Sequence, residues 1–279
     1  MIPFALYGFK IYSVIPADIS ANVWQAMGIR VYVTGRIAGE VDGQVGIGER
    51  RFRGKQGWML FAYLVCERSR PVAKEELASV LWPDEQSDAW EAALSALTSR
   101  LAALLASEGL EDLGLSFSRQ FGQYQLKLPN DGWVDIGAGN SALDRAEAAV
   151  RNNQARNALG PAAVAASIAR RPFLPGVDGF WWENLQGKLD RQLVRALDCL
   201  GEMQLEIGEP QTAFESALEG IKLDPYRERT HRALMRAYVA TGNRAKAVAA
   251  YYEFREFLAS EVGTGPELET EALYLEILD

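Results

Sequence analysis

"DPYRERTHRALMRAYVATGNRAKA", residues 224–247, restates much of "ALDCLGEMQLEIGEPQTA", residues 196–213, at an offset of 34. Gly208 falls over Gly242, Ala213 over Ala247 and Leu200 over Leu234. The positions that coincide are those that helix packing constrains. Gly208 and Gly242 are expected to close the first helix of each pair. Ala213 and Ala247 are small where two helices cross. Pro225 marks the boundary to the next unit, and Tyr238 and Tyr251 fill the spaces between helices.

A helix pair repeated at this period is the signature of a tetratricopeptide (TPR) array. One pair cannot bury its own apolar face, so several stack into a superhelix with a concave surface. Working outward, the segments "SALDRAEAAVRNN", "PAAVAASIARR" and "FWWENLQGKLDRQLVRALDCLGEMQLEIG" upstream, and "RAKAVAAYYEFREFLASEVG" and "PELETEALYLEIL" downstream, read as helices broken by Gly and Pro. After Pro129 no further strand is expected. Residues 130–279 are therefore read as an all-α, TPR-like interaction domain.

Upstream of Pro129 the period changes. "IRVYVTG" (29–35) is β-branched and alternating, and "GEVDGQVGIGE" (39–49) holds two short strand-like pieces around Asp42-Gly43, a hairpin dipeptide. In "RFRGKQGWMLFAYLVCER", Trp58, Leu60, Phe61, Leu64 and Val65 share a helical face. "PVAKEELASVLWP" is a short helix with Leu77, Val80 and Leu81 inward. A third helix is capped by Ser87 or Asp88, carries Trp90, Leu94, Leu97, Leu101 and Leu104 inward, and stops at Gly109. "LSFSRQFGQYQLKLP" alternates around Gly122 as a strand pair. Strands, three helices and a hairpin describe an α+β winged helix-turn-helix over residues 28–129, in which the third helix enters a DNA groove.

The whole arrangement from about residue 28 onward resembles the SARP-type bacterial transcriptional activators, which join an OmpR-like winged helix to a TPR-like bacterial transcriptional activator domain. The resemblance rests on "RFRGKQGWMLFAYLVCERSRPVAKEELASVLWPD", "LTSRLAALL", "FGQYQLKL", "LPGVDGFWWENLQGKLDRQLVRALDCLGEM" and "LDPYRERTHRALMRAYVATGNRAKAVAAYYEFREFL", in that order. It implies double-stranded DNA and RNA polymerase as partners, with dimerisation or a peptide or protein ligand assigned to the TPR-like domain. The loop Asp84, Glu85 and Gln86 then lies where such winged helices touch polymerase. Glu91, Ala92 and Ala102 stand where the family's third helix often carries Arg or Asn. An acidic residue facing phosphate costs affinity. A protein-interaction adaptor that no longer binds DNA specifically is thus the competing reading.

On the DNA side the candidate residues are Ser95, Ser99 and Arg100 on the exposed face of the third helix, Arg119 on the hairpin, and Arg53 and Lys55 ahead of the first helix. Arg50, Arg51, Arg53 and Lys55 form either a phosphate-touching lead-in or a solvated charge run. The same two alternatives, DNA contact or solvated face, apply to Ser99 and Arg100. Trp181 and Trp182 either pack between the two domains or anchor a partner.

Composition constrains the rest. Residues 28–129 carry twelve Lys and Arg against thirteen Asp and Glu, and residues 130–279 carry sixteen against twenty-three. Phosphate recognition is therefore confined to local patches of the first part, and the acidic second part should face something else. "GERRFRGKQ" lacks phosphate-loop spacing and its Ser/Thr, and "VDIGAGNSA" lacks the strand-helix-strand frame of a dinucleotide site, so the latter is read as a linker. His231 is the single histidine and is assigned to packing, so no enzyme, cofactor or metal site is expected. Cys66 and Cys199 read as reduced core thiols, consistent with a cytoplasmic protein, and no apolar run suggests a membrane span. Residues 1–27 are treated as an extension, expected to be poorly ordered.

Overall fold

The computed structural model describes residues 28–279 except Asp42, Arg53 and residues 84–87. The expectations for residues 1–27, for Arg53 and for the Asp84–Gln86 loop therefore lie outside the described residues.

The chain is rich in helix, with two small sheets in its first half. Strands β1 (Ile29–Tyr32), β2 (Ala38–Val41) and β3 (Gln44–Gly48) form an antiparallel meander, with a register shift at Gly39/Glu40. Ile29, Val31 and Val33 alternate into the core, as a period of two requires. A fourth strand then joins the far edge. β7 (Trp133–Val134) runs parallel to β1, pairing Arg30 with Trp133 and Val31 with Val134. The expectation that strands stop after Pro129 is corrected here. Two residues held by backbone pairing leave no periodicity to read.

Between the strands of this sheet the chain builds three helices. They are α1 (Lys55–Cys66), α2 (Lys74–Leu81) and α3 (Trp90–Ser107). In α1 every residue from Met59 to Val65 is buried, so the helix is enclosed on all sides rather than along the single face its spacing suggests. A short strand β4 (Val72–Ala73) lies ahead of α2 and pairs with β6 (Gln123–Lys127), which forms a hairpin with β5 (Ser116–Gln120).

Seven helices follow: α4 (Asp135–Arg151), α5 (Ala155–Ala169), α6 (Phe180–Glu206), α7 (Pro210–Leu223), α8 (Glu228–Ala240), α9 (Arg244–Glu261) and α10 (Leu268–Leu278). Each packs on the next in sequence. α4 begins at Asp135, so the stretch read as a linker is its first two turns. The early start is compatible with glycine because the neighbouring helix comes close. A Cβ on Gly139 would sit 3.2 Å from Ile168 Cγ2. The α4–α5 contact is built of alanines, with Ala142 and Ala146 against Ala162, Ala165, Ala166 and Ala169. α5 likewise starts at Ala155 and carries Pro161 inside it, where the sequence reading begins its helix.

The first core does not end with the first sheet. Phe173, Leu174, Val177 and Leu189, from the α5–α6 connection and α6, are buried in the same cluster as Val31, Leu60, Phe61 and Leu77. Trp181 packs edge-on to Tyr63 at 4.9 Å and to Phe173 at 5.3 Å, and Trp182 donates its indole N–H to Phe173 O at 2.5 Å. Of the two alternatives for this Trp pair, packing against the first half is the one seen. Asp135 completes the junction. Its buried carboxylate accepts the backbone N–H groups of Val33 and Thr34, the Thr34 hydroxyl at 2.7 Å and the Ile136 N–H at 2.8 Å. Burial holds its pKa above the usual carboxylate value, against those four donors.

Candidate nucleic-acid interface

Helix α3 is the element on which most candidate residues sit. Its cap is Ala89, without a side-chain cap bond, and Asp88 lies in the turn before it. The side chains it buries are Leu94, Thr98, Leu101 and Leu105, steps of four, three and four that keep one face inward. Leu97 and Leu104, expected in the stripe, instead lie half-buried on its flank. There they line an open cleft of about 520 Å³ with Phe52, Arg50, Arg51 and Arg100.

That rotation sorts the outward residues into two flanks. Arg100 is exposed on the cleft side, beside the 3-10 turn Glu49–Arg51. Ser95 and Ser99 are exposed one turn apart, and Ser99 faces the hairpin. The Arg119 guanidinium reaches across from β5 and donates to Ser99 Oγ at 3.1 Å. Lys55 is placed elsewhere. It is the first residue of α1, and its ammonium lies 3.4 Å from Asp178 in the connection before α6, an exposed pair worth little.

Two neighbours of this face were not singled out in the sequence. Lys74, the first residue of α2, donates its backbone N–H to Gly122 O at 2.9 Å and its ammonium to Glu91 Oε1 at 2.5 Å. The Glu91 carboxylate raises the lysine's pKa, so the acidic residue on the outward face already has an intramolecular cation. No local motif announces that pair, because it joins positions seventeen apart across two helices. The second is Phe121, at the tip of the hairpin, whose side chain is 100% exposed. Its signal was present in the string "QFGQ", an aromatic residue in a turn position.

Among the helices of the second half, Gly208 and Gly242 take φ of +81° and +77°, the left-handed conformation that ends a helix. Ala213 and Ala247 are fully buried. The Pro225 carbonyl accepts the His231 Nε2–H at 2.9 Å, and the His231 ring stacks on Phe254 at 3.8 Å. Burial lowers the pKa of His231 below 6.5. Ion pairs join every second helix: Glu147 of α4 with Arg195 of α6, Asp198 and Glu202 of α6 with Arg227 just ahead of α8 and Arg229 within it, and Arg232 of α8 with Glu269 of α10. Among the described residues no helix is long and apolar enough to cross a membrane.

Residues 134–278 match the family model described as bacterial transcriptional activator domain. Regulatory protein AfsR of Streptomyces coelicolor is 29% identical over 226 residues, covering 78% of this chain and 21% of AfsR. Transcriptional regulatory protein EmbR of Mycobacterium tuberculosis is 29% identical over 224 residues, covering 78% of this chain and 56% of EmbR. The chain thus spans about half the length of one relative and a fifth of the other. Among solved structures, M. tuberculosis EmbR in complex with a low affinity phosphopeptide superposes with a TM-score of 0.78 at 22% identity, over 90% of this chain and 65% of that one. That likeness is one of fold.

Proposed function

The chain belongs to the bacterial transcriptional activator domain family, related to SARP-type transcriptional regulators, and from that premise we propose that it is a cytoplasmic DNA-binding regulator, an activator. In this reading residues 28–129 are a winged helix-turn-helix, α3 is the recognition helix and the β5–β6 hairpin is the wing. Residues 130–279 are a TPR-like domain for dimerisation or for a peptide or protein ligand. Asp84, Glu85 and Gln86 are assigned to contact with RNA polymerase.

One observation carries the reading. Ser95, Ser99, Arg100 and Arg119 are exposed around one helix, with Arg119 seated on Ser99 and Glu91 already paired by Lys74. The arrangement leaves Arg100 without an ion-pair partner among the described residues, available to a base edge or a phosphate. Ala92 and Ala102, and the balanced charge of residues 28–129, favour the adaptor instead. Incubating the purified protein with fragmented genomic DNA and sequencing what it retains decides between them. The regulator enriches a repeated motif upstream of genes, and the adaptor enriches nothing even at low salt.

A further inference from the structure

We propose that Phe121 is a minor-groove wedge: the hairpin tip inserts this ring at a base step beside the site read by α3, unstacking the step and bending the duplex. The proposal deepens the DNA-binding reading above and rests on it.

The tip is a two-residue turn. Gln120 pairs with Gln123, and Phe121 and Gly122 both have positive φ, +53° and +72°. Such a turn selects Asn, Asp or Gly at its first central position, because those residues enter the left-handed region at the least cost. Phenylalanine there carries a conformational penalty. It also carries a solvation penalty, since the whole ring stands in water and touches no core cluster. An isolated exposed apolar side chain needs no explanation. One that is also held in an unfavourable backbone conformation does.

The tip is firmly mounted. On one side Arg119 bonds Ser99 of α3, and on the other the Gly122 carbonyl accepts the Lys74 N–H. The ring is therefore presented at a fixed distance from the outward face of α3. Its surroundings select the partner. "SFSRQFGQYQLK", residues 116–127, contains Arg119 near the tip and Lys127 at the foot of the hairpin and no acidic residue, in a protein of net charge −8. A cationic hairpin tipped by one apolar ring suits a polyanion with an apolar interior. The minor groove, about 6 Å wide, admits a ring edge-on, and inserted Phe or Leu side chains kink duplexes by partly separating a base step.

The test uses the full chain and the duplex it enriches from a random-sequence library, labelled at both ends for energy transfer. Phe121→Asn gives the turn its preferred residue and removes the ring. Phe121→Leu keeps an apolar wedge. Phe121→Asn should melt at or above the wild-type temperature, bind about tenfold more weakly and leave the duplex straight, while Phe121→Leu retains most of the bend. Equal affinity and equal bending by wild type and Phe121→Asn would overturn the wedge and leave the DNA reading standing. So would a Phe121→Asn protein that binds and bends normally but fails to activate transcription, which assigns the tip to a protein partner. If the wild type enriches no duplex, the wedge and the DNA reading fall together.

Discussion

At the residue scale, Arg100 and Arg119 differ in what surrounds them, and the difference should appear in binding. Arg100 stands at the rim of the cleft beside Leu97 and Leu104. If it reads a guanine, Arg100→Ala costs about 1–3 kcal/mol on the specific duplex and relaxes preference at one base pair. Arg119 is drawn from the hairpin across to Ser99 of α3. As a phosphate contact, its loss weakens binding to all sequences alike and lowers the salt slope by about one. Titration of specific and scrambled duplexes at two salt concentrations separates the two. Identical affinity of the wild type for both duplexes, unchanged by either substitution, supports the adaptor. His231 makes a prediction of another kind. Its pKa is lowered on folding by burial, so the folded chain binds this proton more weakly than the unfolded one. The corresponding stability is complete above pH 6.5 and lost as pH falls below it. His231→Phe keeps the stack on Phe254 and removes the titration, so its melting temperature should fall less than wild type between neutral pH and about pH 5. Parallel pH profiles would show that His231 is not the group responsible.

Elements report on the packing that a sequence pattern can and cannot convey. Ala247 is fully buried where α9 meets its neighbours, and Ala249, two residues on, is exposed. Ala247→Leu should overpack the crossing and cost about 1–3 kcal/mol. Ala249→Leu on the same helix should stay within about 0.5 kcal/mol. Similar denaturation midpoints for the two would mean that the 34-residue register is misplaced. A glycine outside the aligned set tests the same surfaces. A Cβ on Gly220 would lie 2.7 Å from Thr230 Cγ2, and Thr230 is itself fixed by Asp198, so Gly220→Ala should also destabilise. The long helices of the second half were readable because apolar residues recur at helical spacing between Gly and Pro breaks. α3 was readable as a helix with Leu94 and Leu101 inward, but the rotation of the rest of its buried face was not. Counting leucines selects Leu97 and Leu104, whereas the fold buries Thr98 and Leu105 and leaves those two at the rim of a cleft. β4 and β7 are two residues each and owe their existence to β6 and β1, so nothing local encodes them. The Lys74–Glu91 pair, which changes the electrostatics of the candidate interface, is a product of how α2 and α3 meet.

Across the whole molecule, the two halves read separately from the sequence are joined by more than a linker. β7 extends the first sheet, Gly35 donates its N–H to Pro172 O at 2.8 Å, and Phe173 enters the first core with its carbonyl held by Trp182. The helical second half therefore meets the first at two places, through the start of α4 and through the residues leading into α6. These contacts tie the helical half to the first sheet and to α1, and how far they couple the two halves can be measured. Asp135→Asn keeps the volume but substitutes an NH2 group for an acceptor that faces the Val33 and Thr34 donors. Leaving such donors unmet costs about 1–3 kcal/mol. Phe173→Ala empties a fully buried site and should cost about 3–5 kcal/mol. Because each residue bridges the halves, both substitutions should lower hydrogen-exchange protection in α1 and in α6 together, and the melting curve should keep a single transition. Protection lost only in α4 for the first, or only around residues 172–182 for the second, would show that the halves unfold independently and that the junction transmits nothing.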